Sequence, residues 1–346
     1  MRRLALLAAM LLATAAGAAA QTAPVGYIEY SFAASGSAAT YYISAPMLAS
    51  PAYTGTLTSA GANTLTVALA NWSAGQFTQA SAGAPYYAIL TSGKEAGRSL
   101  LITSNTTTQL TVDVTDDSTQ STPLDTSGFA VSGTESFEIA AGATISSFFG
   151  AAAGTAFPGS GASFAASGGI GLWNPQLLAF DQYYYDTTAG EWVKNGASPA
   201  ANAGSTVIPP SATVAIYLPA GYAGGTLVNA GAPATVAPLL KLPGGSAVRY
   251  FGMGVPVDMT LSQVNLGSNW ATGSSAFNAD TLSVYNSSAG KWSTYYETTG
   301  STWMLSGTTG SQNATVIPAG SAVAFLKRAA VSGSSSLLPV SLPYTP

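Results

Sequence analysis

A chain of 346 residues with 47 % hydrophobic positions can bury a substantial core. Only 7 % of its residues are charged, against about 25 % in ordinary globular domains. Ten basic and 14 acidic residues give a formal charge of -4, which excludes nucleic acid as a partner, because phosphate binding needs clustered Lys and Arg.

Taken from the N-terminus, Arg2 and Arg3 precede the apolar run Leu4 to Leu12 and the small residues Ala18-Ala19-Ala20. This order predicts a cleavable signal peptide over residues 1–20, with Gln21 as the first mature residue. The run is shorter than the roughly 20 apolar residues that span a bilayer, and no later segment reads as transmembrane. An exported chain without Cys has neither disulfides nor a lipid-modified cysteine, so a secreted or cell-surface location without a membrane span is expected.

An N-terminal β domain is expected over 21–135. Leu65, Val67 and Leu69 alternate with Thr64, Thr66 and Ala68, and Leu110, Val112 and Val114 alternate with Thr111 and Asp113. Period two in Val and Thr marks half-buried strands. Thirty-eight Gly and 19 Pro supply closely spaced turns, so the predicted fold class is all-β, with tandem β-sandwich or barrel-like units. Short helical turns are expected near 143–150 and 259–267.

The C-terminal half carries an internal repeat. Tyr184-Tyr185-Asp186-Thr187-Thr188 returns as Tyr295-Tyr296-Glu297-Thr298-Thr299, with Trp192 and Gly196 matched by Trp303 and Gly307. Thr206-Val207-Ile208-Pro209 returns as Thr315-Val316-Ile317-Pro318, and Trp173-Asn174 aligns with Tyr285-Asn286. Two copies of one supersecondary unit follow: a first β repeat at 136–226, a linker-like stretch at 227–246, a second β repeat at 247–330 and a C-terminal tail at 331–346.

The succession Pro24-Val25-Gly26-Tyr27, Tyr53-Thr54-Gly55-Thr56, Trp72 to Phe77, Ser92-Gly93, Phe137-Glu138-Ile139, Gly190-Glu191-Trp192 and Pro256-Val257-Asp258-Met259 resembles an uncharacterised paralogous family of secreted proteins expanded in Verrucomicrobium and its relatives. The resemblance covers essentially the whole mature chain. It implies export and a β-rich architecture, and carries no catalytic residue.

Without His or Cys, the Ser-His-Asp and Cys-His arrangements and His- or Cys-ligated zinc, copper and haem are impossible. No cofactor is expected. Tyr184, Tyr185, Trp192, Tyr295, Tyr296 and Trp303 are candidate carbohydrate-binding residues, since aromatic faces stack on sugar rings; strand alternation equally allows them to fill the core. Asp113, Asp116, Asp117 and Asp125 fall in one polar stretch and are candidate Ca²⁺ ligands, although no calcium-loop spacing accompanies them. Asp186 and Glu297 are matched positions in separate repeats, not two acids facing one glycosidic bond.

These features favour a secreted or cell-surface, non-catalytic structural protein: an envelope, matrix or filament component that self-associates through strand edges or meets cell-surface polysaccharide. A carbohydrate-binding protein using the repeated aromatics is the alternative. A carboxylate-based glycosidase or lyase ranks below both.

Overall fold

Antiparallel strand pairing accounts for almost every element of the protein, as the period-two patterning requires. The computed structural model describes residues 26–45, 47–115, 123–126, 135–199, 201–210, 212–243, 247–264, 270–286, 289–328, 335–339 and 342. The expected signal peptide lies outside them. Among the described residues, no helix is long and apolar enough to cross a membrane.

A barrel occupies residues 53–141. Tyr53–Thr56 pairs with Ser136–Ala141, and the order continues through Tyr86–Leu90, Ser99–Asn105, Gln109–Val112 and Thr64–Thr66 to Ser59–Ala60. Because Tyr53–Thr56 and Ser59–Ala60 belong to one stretch of chain, the sheet closes on itself. The join is visible in two backbone bonds, Leu57 N–H to Glu135 O at 2.8 Å and Thr58 N–H to Thr66 O at 2.7 Å. Leu65, Leu90, Leu100, Leu110, Phe137 and Ile139 fill the interior. Closure leaves few free edges.

The barrel interrupts a sandwich. One sheet of the first sandwich runs in the order Glu191–Lys194, Ala179–Asp186, Gly169–Asn174, Thr213–Leu218, Ala39–Ser44. A ribbon of Gly26–Phe32 with Gly225–Gly231 covers it, turning Ile28, Tyr30, Phe32 and Leu227 into the core. The chain leaves this unit after Ser44, builds the barrel, and returns at Ala143–Thr144, which pairs with Val207–Ile208.

The second sandwich has the order Trp303–Leu305, Lys291–Glu297, Thr281–Asn286, Ala322–Leu326, Val248–Gly252. Leu239–Pro243 pairs with Ser335–Pro339, and Met259–Thr260 with Val316–Ile317. Where the first sandwich carries the barrel, this one has only residues 253–258 between its strands. Both expected helical turns are present, as Ile145–Phe149 and the 3₁₀ turn Leu261–Gln263. Each opens on a capping box, Thr144 with Ser147 and Thr260 with Gln263, which satisfies backbone N–H groups that the short turn leaves free.

Strand pairing redraws the expected boundaries. Gly26–Phe32 and Ala39–Ser44, placed in the 21–135 domain on chain order, belong to the first sandwich, whereas Ser136–Ala141 closes the barrel. The linker-like stretch 227–246 contributes to both ribbons, and the 331–346 tail supplies the partner of Leu239–Pro243. Non-local hydrogen bonding overrides sequence adjacency in each case.

Candidate functional site

The repeated aromatics are core residues. Trp192 is 1 % exposed and Trp303 is 3 % exposed, and Tyr185, Tyr295 and Tyr296 are buried as well. Trp192 donates its Nε1–H to Gly150 O at 2.7 Å, and Tyr185 donates its hydroxyl to Gly190 O at 2.6 Å. Tyr184 is half-buried and packs edge-on against Phe164. The five buried rings therefore offer no exposed face to a sugar, which leaves Tyr184 alone of the candidate carbohydrate-binding residues with part of its surface open. Full burial of such a side chain stabilises by about 1.5–3 kcal/mol, reason enough for both sandwiches to have it.

Two of the four candidate calcium ligands, Asp113 and Asp125, are among the described residues. Asp125 forms an exposed ion pair with Lys94 at 3.4 Å, while Asp113 accepts the Thr115 N–H at 2.8 Å. Asp116 and Asp117 lie outside the described residues. Among the described residues no group of three His, Cys, Asp or Glu could hold a metal ion. Asp186 accepts the Thr188 N–H at 2.7 Å, which is a turn contact.

A different set of aromatics gathers where the two sandwiches meet. Tyr42, Trp173 and Phe180 come from the first, and Tyr250, Tyr285 and Trp292 from the second. Register makes them matched positions: Tyr42 lies opposite Ala215 and Tyr250 opposite Ala324, while Trp173 pairs with Phe180 and Tyr285 with Trp292. Their contacts are reciprocal. Tyr42 meets Tyr285 at 4.9 Å and Trp292 at 5.1 Å between ring centroids; Tyr250 meets Trp173 at 4.7 Å and Phe180 at 5.2 Å. Two backbone bridges obey the same exchange, Ile43 with Ser321 and Phe251 with Ala212. Aromatic pairs in such tilted and edge-to-face arrangements add about 0.5–1.5 kcal/mol each beyond burial.

Beside this seam, a cavity of about 640 Å³ opens between the barrel, both sandwiches and the segment 232–240. The barrel contributes Tyr87, Asp113 and Glu138; the first sandwich contributes Trp173, Asp181 and Tyr183; the second contributes Tyr250. Gly97 brings the barrel against the connecting segment. It adopts φ +90°, a Cβ there would stand 1.9 Å from Ala237 O, and its own carbonyl accepts the Leu239 N–H at 3.0 Å. Only glycine fits both the conformation and the approach.

The cavity's ionisable lining is acidic: no Lys or Arg is among its described lining residues. Asp181 is neutralised by Lys194 at 2.8 Å and receives the Asn174 side-chain amide at 3.0 Å. Burial pushes the Glu138 carboxyl above its ordinary value, a shift opposed by the Thr235 hydroxyl. Burial also raises the phenols of Tyr87, Tyr183 and Tyr250, with Asp113 adding to the rise at Tyr87 and Asp181 at Tyr183. These tyrosines are neutral hydroxyl donors and acceptors at physiological pH. The buried Nε1–H of Trp173 has no acceptor among the described residues, a state that costs about 1–3 kcal/mol.

Fold and site together define an all-β protein in which a barrel is inserted into the first of two sandwiches and walls a cavity at their junction. No family model, curated protein or solved structure matches the chain. Sequence reasoning does not single out Tyr87, Glu138 or Tyr250 for this site. The one signal available is the alignment of Trp173-Asn174 with Tyr285-Asn286.

Proposed function

We propose that the chain is a secreted or cell-surface, non-catalytic structural protein, an envelope, matrix or filament component built from two copies of one β unit. The observation that carries this reading is the aromatic seam, which joins the two sandwiches through packed side chains. The motifs that resemble the secreted family and the signal-like residues 1–20 support export. A surface poor in charge supports stability across salt and pH, since little on it titrates.

The test is fractionation of the native host with an antibody to the folded protein, alongside sedimentation of purified mature chain at increasing concentration. Processed protein in the envelope or extracellular fraction, with concentration-dependent assembly, is the expected result. An unprocessed cytosolic chain, or one that stays monomeric and never fractionates with cells or matrix, overturns the reading.

A further inference from the structure

We infer that the cavity between the barrel and the paired sandwiches is a binding site for a neutral, polyhydroxylated ligand: a short saccharide or one segment of a longer glycan. The site is distinct from the repeated Trp and Tyr residues, all of which but the half-buried Tyr184 are consumed by the cores. It is independent of the structural reading above, because a surface protein with or without a ligand would fractionate alike.

Size is the first argument. A volume of about 640 Å³ sits within the roughly 300–1,000 Å³ of small-molecule sites. Charge is the second. An anionic ligand would find no cation among the described lining residues and would meet Asp113 and Glu138, while the nearby Lys194 is held by Asp181. An organic cation would find those charges already blunted: Asp181 by Lys194, Asp113 by the Thr115 N–H, and Glu138 by the Thr235 hydroxyl at 3.5 Å.

The remaining chemistry suits hydroxyl groups, which both donate and accept. The lining offers carboxylate acceptors, the exposed side-chain amide of Gln176, and neutral tyrosine hydroxyls beside the rings of Trp173 and Tyr250. Aromatic rings accept the C–H faces of sugars, while polar groups around them fix orientation. Topology supplies the final argument. The barrel adds its wall beside Trp173, whereas the second sandwich carries only residues 253–258 at the matched place.

The test is isothermal titration calorimetry on the full mature chain with cellotetraose, maltotetraose and N-acetylchitotetraose, and with spermidine as a cationic probe. At least one saccharide should saturate one site with Kd between about 10 μM and 1 mM. Two variants locate it: Gln176→Ala, which removes an exposed amide from the lining, and Ala234→Trp, which fills the cavity from the connecting segment. Loss of at least about fivefold affinity in either variant, with the circular dichroism spectrum unchanged, supports the site. No saccharide binding, binding of spermidine alone, or saccharide binding unchanged in both folded variants overturns it.

Discussion

Tyr42 and Tyr250 lie face to face across the junction of the sandwiches, with ring centroids 6.4 Å apart and planes 13° from parallel. They occupy the same place in their respective sheets, so the pair sits at the centre of a reciprocal contact set, and every other ring in the seam touches at least one of them.

Removal of either ring should loosen the junction. Tyr42→Ala and Tyr250→Ala are each expected to cost about 2–3 kcal/mol, and the double variant less than the sum, because each has already lost the shared contact. Urea denaturation of the four proteins measures this coupling. Additivity within error would mean that the two sandwiches are held by other contacts.

Gly97→Ala should strain the backbone by about 1–3 kcal/mol through its positive φ alone, and push the barrel away from Ala237. Thermal unfolding should shift downwards, and limited proteolysis should newly cut within 232–240. An unchanged digestion pattern would show that the close approach is not needed.

Stability should fall at alkaline pH. Tyr42 is raised from 10.0 to about 12, chiefly by burial, and Tyr30, Tyr217, Tyr222 and Tyr285 shift in the same direction for the same reason. A phenol whose folded pKa exceeds its unfolded value adds stability in full below the unfolded value, and loses it as pH rises through the folded one. The melting temperature should therefore decline as pH climbs past 10 towards 12, in step with tyrosinate absorbance. The absence of His removes the usual titration near neutrality.

Glu138 follows the same sign from a carboxylate. Its folded value is raised from 4.5 by burial, so its contribution is present below that value and lost as pH rises through the folded one. Glu138→Gln should raise the melting temperature at neutral pH and flatten its mildly acidic slope. A variant less stable than the parent at neutral pH contradicts this.

The barrel should be removable. Joining Ser44 to Ala143 through a six-residue copy of 253–258 reproduces the connection found in the second sandwich. The shortened chain should fold cooperatively by circular dichroism and lose the cavity, with any saccharide binding lost too. Failure to fold would make the barrel a structural requirement of its host.

Strand content and the local core were legible in the sequence. Leu65, Val67, Leu110, Val112 and Val114 are buried as their alternation requires, although Leu69 is 95 % exposed, beyond the end of its strand. The ownership of the first two strands was not legible. Gly26 pairs with Gly231, and Ala39 with Leu218, across an insertion that carries its own complete hydrophobic pattern. Period and propensity are local quantities, and say nothing about which strand closes which sheet. The seam was half legible: the Trp173 and Tyr285 alignment stood in the sequence, but their opposition across an interface depends on docking.

The pairing of Gly26–Phe32 with Gly225–Gly231 also sets an order of events. A chain that emerges from its N-terminus must keep its first strand waiting until the partner near residue 231 is made, while every strand of the barrel is available by residue 141. The inserted unit can therefore close first, through contacts of shorter separation than Gly26 to Gly231, and the interrupted host must condense around it. A strand made early in synthesis is thus among the last to find its partner.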